Sequence, residues 1–298
     1  MASINGKKIS QYILKEQKKI IDEYHLTPSL ETILIGNDEA SRIYTQEKRK
    51  KATKIGVKFS CRTFPTDVSQ KEVLETIYTL NLDPLISGIL VQFPLPHHVN
   101  PHAIIGSIDP AKDVDGFHPI NISRFLELPT TEHILKSNLL LPVTPAAIMT
   151  IINSLGGIHG LFPGQKPRIV FVGKESVFTT PLVHYFTTHN ISEFAGVLPN
   201  NPHLAEKTLS ADILISACGK PCSITQEMVK AGAVVIDVGI SRVNGSVVGD
   251  VDFDAVAPKA RFITPVAGGV GPVTVAILMR NVVYAGKRGQ EPFSQKGS

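Results

Sequence analysis

Apolar residues recur along the chain in alternating rhythms. Residues 7–24 place Ile9, Ile13, Ile20, Ile21 and Tyr24 on one side of a lysine-rich sequence, the helical period with a solvated back. Thr32–Ile35 predicts a buried strand, Ser41 to Ile55 a second helix, and Val57–Phe64 a second strand that Pro65 stops. Ser69 and Glu72 form a capping box ahead of Val73, Leu74, Ile77 and Leu80, and the apolar strand Gly88–Val91 follows. Strands that are apolar throughout, alternating with helices, predict a parallel sheet covered by helices.

From Pro119 to Leu141 the periodicity fades, which predicts a link between two domains. A second α/β unit then begins. Thr144 is placed to cap a helix with Pro145 at its first position, Ile148, Ile151, Ile152 and Leu155 supply the apolar face, and Gly156 supplies the stop. Beyond it the pattern predicts strand Arg168–Gly173, helix Pro181–His189, strands Glu193–Leu198 and Asp212–Ser216, helix Thr225–Lys230 and strand Ala233–Gly239. The segment Thr264–Thr274 holds Gly268, Gly269, Gly271, Pro265 and Pro272, and a helix-like run extends from Val275 to about Lys287. So many glycines either let backbone amides approach a ligand or make an ordinary turn. Gly173, ending a strand before a helix, stands where dinucleotide-binding folds hold a pyrophosphate. No G-x-G-x-x-G accompanies it, so a plain strand-to-helix turn remains the alternative.

Composition narrows the class of protein. A chain of 298 residues, 43% hydrophobic and 19% charged, suits two domains with sizeable cores. No apolar run is long enough to span a membrane and the first residues lack a secretory pattern, so a soluble, cytoplasmic protein is expected. A net charge of +4 from scattered basic residues gives no case for nucleic acid. Three cysteines, Cys61, Cys218 and Cys222, fit reduced thiols rather than a disulfide framework. His97, His98 and His102 crowd one loop without acidic or cysteine partners at ligand spacing, and no metal site is expected.

Tyr44 and Lys48 lie four residues apart and so project from one face of their predicted helix. An aromatic ring beside an amine suits a catalytic site, while the basic run Lys48 to Lys51 suits a solvated surface; the pair alone leaves both readings open.

Four stretches in one order change the balance. Ala40-Ser-Arg-Ile-Tyr-Thr-Gln-Glu-Lys48, Gly88-Ile-Leu-Val-Gln-Phe-Pro-Leu-Pro96, Lys112-Asp-Val-Asp-Gly116 and the loop Thr264–Thr274 resemble the methylenetetrahydrofolate dehydrogenase/cyclohydrolase family of one-carbon metabolism. The resemblance covers roughly residues 4–285. It implies an α/β catalytic domain over residues 1–140, completed by a C-terminal helix at 272–290, a Rossmann-like NAD(P)-binding domain over 141–271, a cleft between them, and a homodimer. It also implies tetrahydrofolate derivatives as substrates and NADP as cofactor. By the same resemblance Lys48 is the catalytic lysine, Gln92 the glutamine bonded to it, Tyr44 the ring flanking the folate, and Asp115 the carboxylate that binds the pterin. Gly268, Gly269 and Pro272 line the folate site, and Gly173, Lys174, Ser176, Thr179, Gly239 and Ile240 meet the cofactor. Asp113 holds the turn around Asp115.

The cofactor side departs from the family pattern. Where relatives read G-R-S-x-x-V-G-x-P, this chain runs from Gly173 to Pro181 with Lys174, Glu175, Phe178 and Thr179 within. Glu175 adds negative charge beside a phosphate position, and Thr179 puts a branched side chain where a glycine allows close approach. Val197-Leu-Pro-Asn200 brings no cation toward a 2′-phosphate. Val143 and Ala267 replace a cysteine and a proline. Two alternatives therefore accompany the bifunctional reading: a cyclohydrolase whose dehydrogenase activity is lost, weak or switched to NAD, and a folate-binding paralogue without turnover.

Overall fold

The computed structural model of the chain describes residues 2–174, 176, 179–188 and 193–290. Glu175, Val177 and Phe178, the predicted helix end at His189, and the tail after Gln290 lie outside the described residues, and with them the expectation placed on the Glu175 charge. The chain divides into two compact units, one of Met1–Ser10, Leu128–Leu135 and Thr144–Thr274, the other of Gln11–Glu127, Lys136–Val143 and Val275–Ser298.

The second of these units carries a three-stranded parallel sheet in the order Lys58–Phe64, Ser29–Ile35, Gly88–Val91. Ser29–Ile35 is central and buried at every residue, whereas the edge strand Lys58–Phe64 alternates in exposure and carries more polar residues. Helices Gln70–Leu82 and Pro101–Ser107 cover this sheet, with Val73, Ile77, Leu80 and Ile104 packing against Ile33, Ile89 and Val91. Ser69 caps the first of them as its sequence predicts, its side chain accepting from the Glu72 N–H at 3.2 Å. Gly36 follows the central strand at φ +83°, where a side chain would press on Thr66, and the helix Glu39–Ile55 starts three residues later.

In the other unit six parallel strands run in the order Ala2–Ser3, Phe262–Ile263, Val234–Asp237, Ile213–Ala217, Arg168–Gly173, Glu193–Val197. The inner strands are almost wholly buried, and Val170, Val172, Leu214 and Val235 form a core with Ile224, Val229 and Val256. The helix Thr180–Thr188 follows the strand that ends at Gly173.

Four expectations need correction. Residues 119–141 are not an unstructured link, since they form the helices Pro119–Leu126 and Thr131–Lys136. His118 starts the first by accepting from the Ile120 N–H at 3.2 Å, with Pro119 at the first position, and Phe125 and Ile134 are buried. Thr144 is not the cap of the next helix, which begins at Val143 because the Val143 N–H is already satisfied by the Asp115 carbonyl at 3.1 Å. Thr225–Lys230 is only a 3₁₀ turn, Gln226–Met228, cut short where Val229 turns extended. The last helix spans Val270–Gln290, five residues longer at its start than the pattern indicates, because Pro272 stands in the first turn where no N–H is required. An antiparallel hairpin of Ser241–Val243 and Ser246–Val248 also went unpredicted; its turn is Asn244-Gly245, both at positive φ.

Candidate active site

In open parallel sheets the crevice forms outside the carboxyl ends of strands, where the strand order reverses. In the three-stranded sheet that point lies between Ser29–Ile35 and Gly88–Val91. The helix Glu39–Ile55 leaves the first strand there, and Gln92 is the first residue past the second. Asp38 caps the helix through the Ser41 N–H at 2.7 Å; the Ser41 hydroxyl first and its N–H second hold the Asp38 carboxyl below its ordinary value, and Ser41 Oγ also lies 3.5 Å from the Phe93 carbonyl. Tyr44 and Lys48, one turn apart on this anchored helix, are both half-buried.

Lys48 Nζ donates to Gln92 Oε1 at 2.7 Å. Gln92 is itself fixed: its backbone N–H donates to the Ile33 carbonyl at 2.8 Å and its Nε2 donates to the Phe93 carbonyl at 2.7 Å. A carbonyl can only accept, so the amide nitrogen faces Phe93 and the amide oxygen is left to face the lysine. Burial lowers the Lys48 pKa from the ordinary lysine value, opposed by the negative charge of Asp115. Burial raises the Asp115 pKa to about 7, opposed by the Lys48 charge and assisted by Asp113. Asp115 shares a narrow, largely apolar recess with Ile89, Val91, Phe93, Ile105 and Phe117, which accounts for the direction. The structure therefore brings Lys48 and Gln92 into contact and Asp115 within electrostatic reach of the amine, with Tyr44 one turn before the lysine on its helix.

The turn that presents Asp115 is heavily tied. Asp113 is buried and accepts from the Gly116 N–H at 3.1 Å, the His118 N–H at 2.8 Å and Asn121 Nδ2 at 2.9 Å. Gly116 stands at φ +73° with its α-carbon against the Leu141 carbonyl, where a Cβ would come within 2.3 Å. Lys112 Nζ donates to the carbonyls of Leu80, Asn81 and Asp83, the end of the helix Gln70–Leu82. Asn121 and Asn281 were not singled out by sequence reasoning. Asn281 donates through Nδ2 to the Val114 and Leu141 carbonyls at 2.9 and 2.8 Å, and no spacing rule links residues so far apart in the chain.

The six-stranded sheet reverses its order between Arg168–Gly173 and Ile213–Ala217, and Gly173 stands at that point. A Cβ there would meet the Ala217 carbonyl at 2.8 Å and the Phe171 ring at 2.9 Å, so bare backbone is required. Gly239 likewise leaves no room, its α-carbon lying against the Asp250 carboxyl. Thr179 Oγ1 accepts from the Ser176 N–H at 3.0 Å and donates to the Lys174 carbonyl at 3.2 Å, closing the turn on itself. Lys174 and Ile240 are exposed. In the glycine loop, Gly268 has φ +115°, Gly6 packs against the Gly269 carbonyl with no room for a Cβ, and a Cβ on Gly269 would press on the Pro265 carbonyl and Thr264. Among the described residues no group of three His, Cys, Asp or Glu side chains is placed to hold a metal ion, and His98 Nε2 instead lies 2.9 Å from the Val68 carbonyl.

Residues 4–115 match the family described as tetrahydrofolate dehydrogenase/cyclohydrolase, catalytic domain, and residues 142–290 match its NAD(P)-binding domain. A bifunctional protein FolD of Sulfurihydrogenibium sp. is 42% identical over 292 residues, covering 97% of this chain and 98% of that protein. The crystal structure of the bifunctional methylenetetrahydrofolate dehydrogenase/cyclohydrolase of Campylobacter jejuni is 34% identical with a TM-score of 0.85, covering 97% of this chain and 99% of that one. The Trypanosoma brucei enzyme, solved with NADP and an inhibitor, is 30% identical with a TM-score of 0.86, covering 98% and 99%.

Proposed function

The chain belongs to the tetrahydrofolate dehydrogenase/cyclohydrolase family, and on that premise we propose how its residues divide the two reactions of a bifunctional enzyme. It oxidises 5,10-methylene-tetrahydrofolate to 5,10-methenyl-tetrahydrofolate and hydrolyses the product to 10-formyl-tetrahydrofolate. The observation that carries the assignment of residues is the 2.7 Å bond between Lys48 Nζ and Gln92 Oε1.

In the hydrolytic step water adds to the cationic amidine carbon of the methenyl substrate and gives up a proton, and the bond from that carbon to N5 then breaks, N5 taking a proton and the carbon staying on N10 as the formyl group. Lys48 accepts the water's proton at Nζ, because burial lowers its pKa and the substrate's positive charge lowers it further. Gln92 orients the amine without adding the negative charge that would raise its pKa. The Asp115 carboxylate takes hydrogen bonds from the pterin ring, and Tyr44 packs along the folate's aromatic body. Bound NADP supplies the nicotinamide that receives a hydride in the oxidative step. Gly173, Lys174, Ser176, Gly239 and Ile240 would hold it, and positioning would be the main task of the protein in that step. Free thiols at Cys61, Cys218 and Cys222 support a reducing, cytoplasmic setting, and the family supports a homodimer.

A second reading is favoured by one observation. Thr179 occupies the Ser176 N–H, an amide an anion would otherwise meet, which supports a dehydrogenase that is weak. One assay separates the readings: cofactor reduction is followed with methylene-tetrahydrofolate and either NADP or NAD, and decay of added methenyl-tetrahydrofolate is followed separately. The bifunctional reading expects NADP reduction and methenyl decay. Decay without NADP reduction overturns the cofactor assignment. In the same assay Lys48→Met is expected to slow hydrolysis at least about 100-fold in a folded protein, the usual worth of a positioned acid or base; near-normal hydrolysis refutes the role given to Lys48.

A further inference from the structure

The side-chain amide of Asn281 is fully buried in the helix Val270–Gln290. Its Oδ1 faces two groups that only donate, the Leu141 N–H and Arg280 Nη1, each at 3.2 Å. Its Nδ2 faces two groups that only accept, the Val114 carbonyl at 2.9 Å and the Leu141 carbonyl at 2.8 Å. No other orientation of the amide satisfies all four partners. Arg280 keeps this arrangement in place, since its guanidinium also donates to the Leu139 and Ser137 carbonyls and lies over the Tyr284 ring.

Val114 directly precedes Asp115, and the carbonyl of Asp115 itself accepts from the Val143 N–H at 3.1 Å. The Asp115 backbone is thus gripped on both sides, from Asn281 through Val114 and from Val143 beyond. Asp113 closes the turn through the Gly116 N–H. A carboxylate that must meet two N–H groups of a planar ring depends on the direction in which its Cα–Cβ bond points, and that direction is set by these backbone bonds.

We infer that Asn281 is a positioning residue for Asp115, fixing the peptide ahead of it and so the angle at which its carboxylate meets the folate. The inference rests on Asp115 being the pterin ligand. Asn281→Ala removes both donors and is expected to raise the KM for 5,10-methenyl-tetrahydrofolate about tenfold while kcat changes less than about threefold, because Lys48 and Gln92 are untouched. The decisive comparison repeats the substitution in an Asp115→Asn background, where a further change in KM of less than about twofold is expected if Asn281 acts through Asp115. An unchanged KM in folded Asn281→Ala, or losses that simply multiply in the two backgrounds, overturns the inference. Asn281→Ser keeps one hydroxyl donor and is expected to give an intermediate rise; it replaces the alanine variant if that protein is not recovered folded, and an unchanged KM there counts equally against the inference. If Asp115→Asn alone leaves KM unchanged, the reading of Asp115 as pterin ligand falls, and this inference with it.

Discussion

At the scale of single residues, Asp115 carries the most informative titration. Its pKa of about 7 lies above the ordinary carboxylate value of 3.8, so the folded protein holds this proton in a pH range where the unfolded chain has lost it. The contribution to stability is fully present below pH 3.8 and is lost as pH rises through about 7. On the role proposed for Asp115, folate binding runs the opposite way, because only the carboxylate accepts two hydrogen bonds. The KM for methenyl-tetrahydrofolate is therefore expected to fall between pH 6 and 8 and level off above, with Asp115→Asn flat over the same range. A KM that rises with pH in the wild type overturns the assignment. Asp237, raised to about 7 by burial, follows the same sign for stability and makes no contact in the folate argument, so a stability profile alone does not report on Asp115.

Among the elements, the strand Arg168–Gly173 shows how a strand end depends on what is missing from a residue. Gly173→Ala forces a methyl against the Ala217 carbonyl and the Phe171 ring, an overpacking expected to cost about 1–3 kcal/mol. Urea unfolding checks this, and an unchanged midpoint would show that the strand ends yield more readily than their contacts suggest. The elements with local causes were legible in the sequence: the Ser69 cap, the apolar run Gly88–Val91, the paired positions Tyr44 and Lys48. Those set by distant partners were not. The helix at Val143 starts where the Asp115 carbonyl claims its first N–H, and Asn281 is meaningful only beside Val114 and Leu141. The hairpin was a different failure, since Asn244-Gly245 is a turn signal that three-residue strands were too short to support by alternation. Residues 119–141 read as a link because helices of eight and six residues show too few turns for a period to emerge.

Over the whole molecule the same device appears twice. Each unit holds a parallel sheet whose strand order reverses, and Gln92 and Gly173 stand at the two reversal points. The course of the chain through these units has a further consequence, for the order of synthesis. Ala2 pairs with Phe262, and the Val114 carbonyl is capped by Asn281, so each unit is closed by residues from late in the chain. A growing chain, released from its N-terminus, therefore cannot finish the unit that contains Lys48 and Asp115 until its last helix emerges, although most of that unit's residues come first. A truncated chain ending at Gly269 is expected to resist limited proteolysis across the six-stranded sheet while remaining cleavable within residues 11–127, and a separate peptide of residues 270–290 is expected to restore protection. Protection of residues 11–127 without that peptide would show that the unit matures on its own. Otherwise the nascent chain spends most of its translation with that unit unfinished.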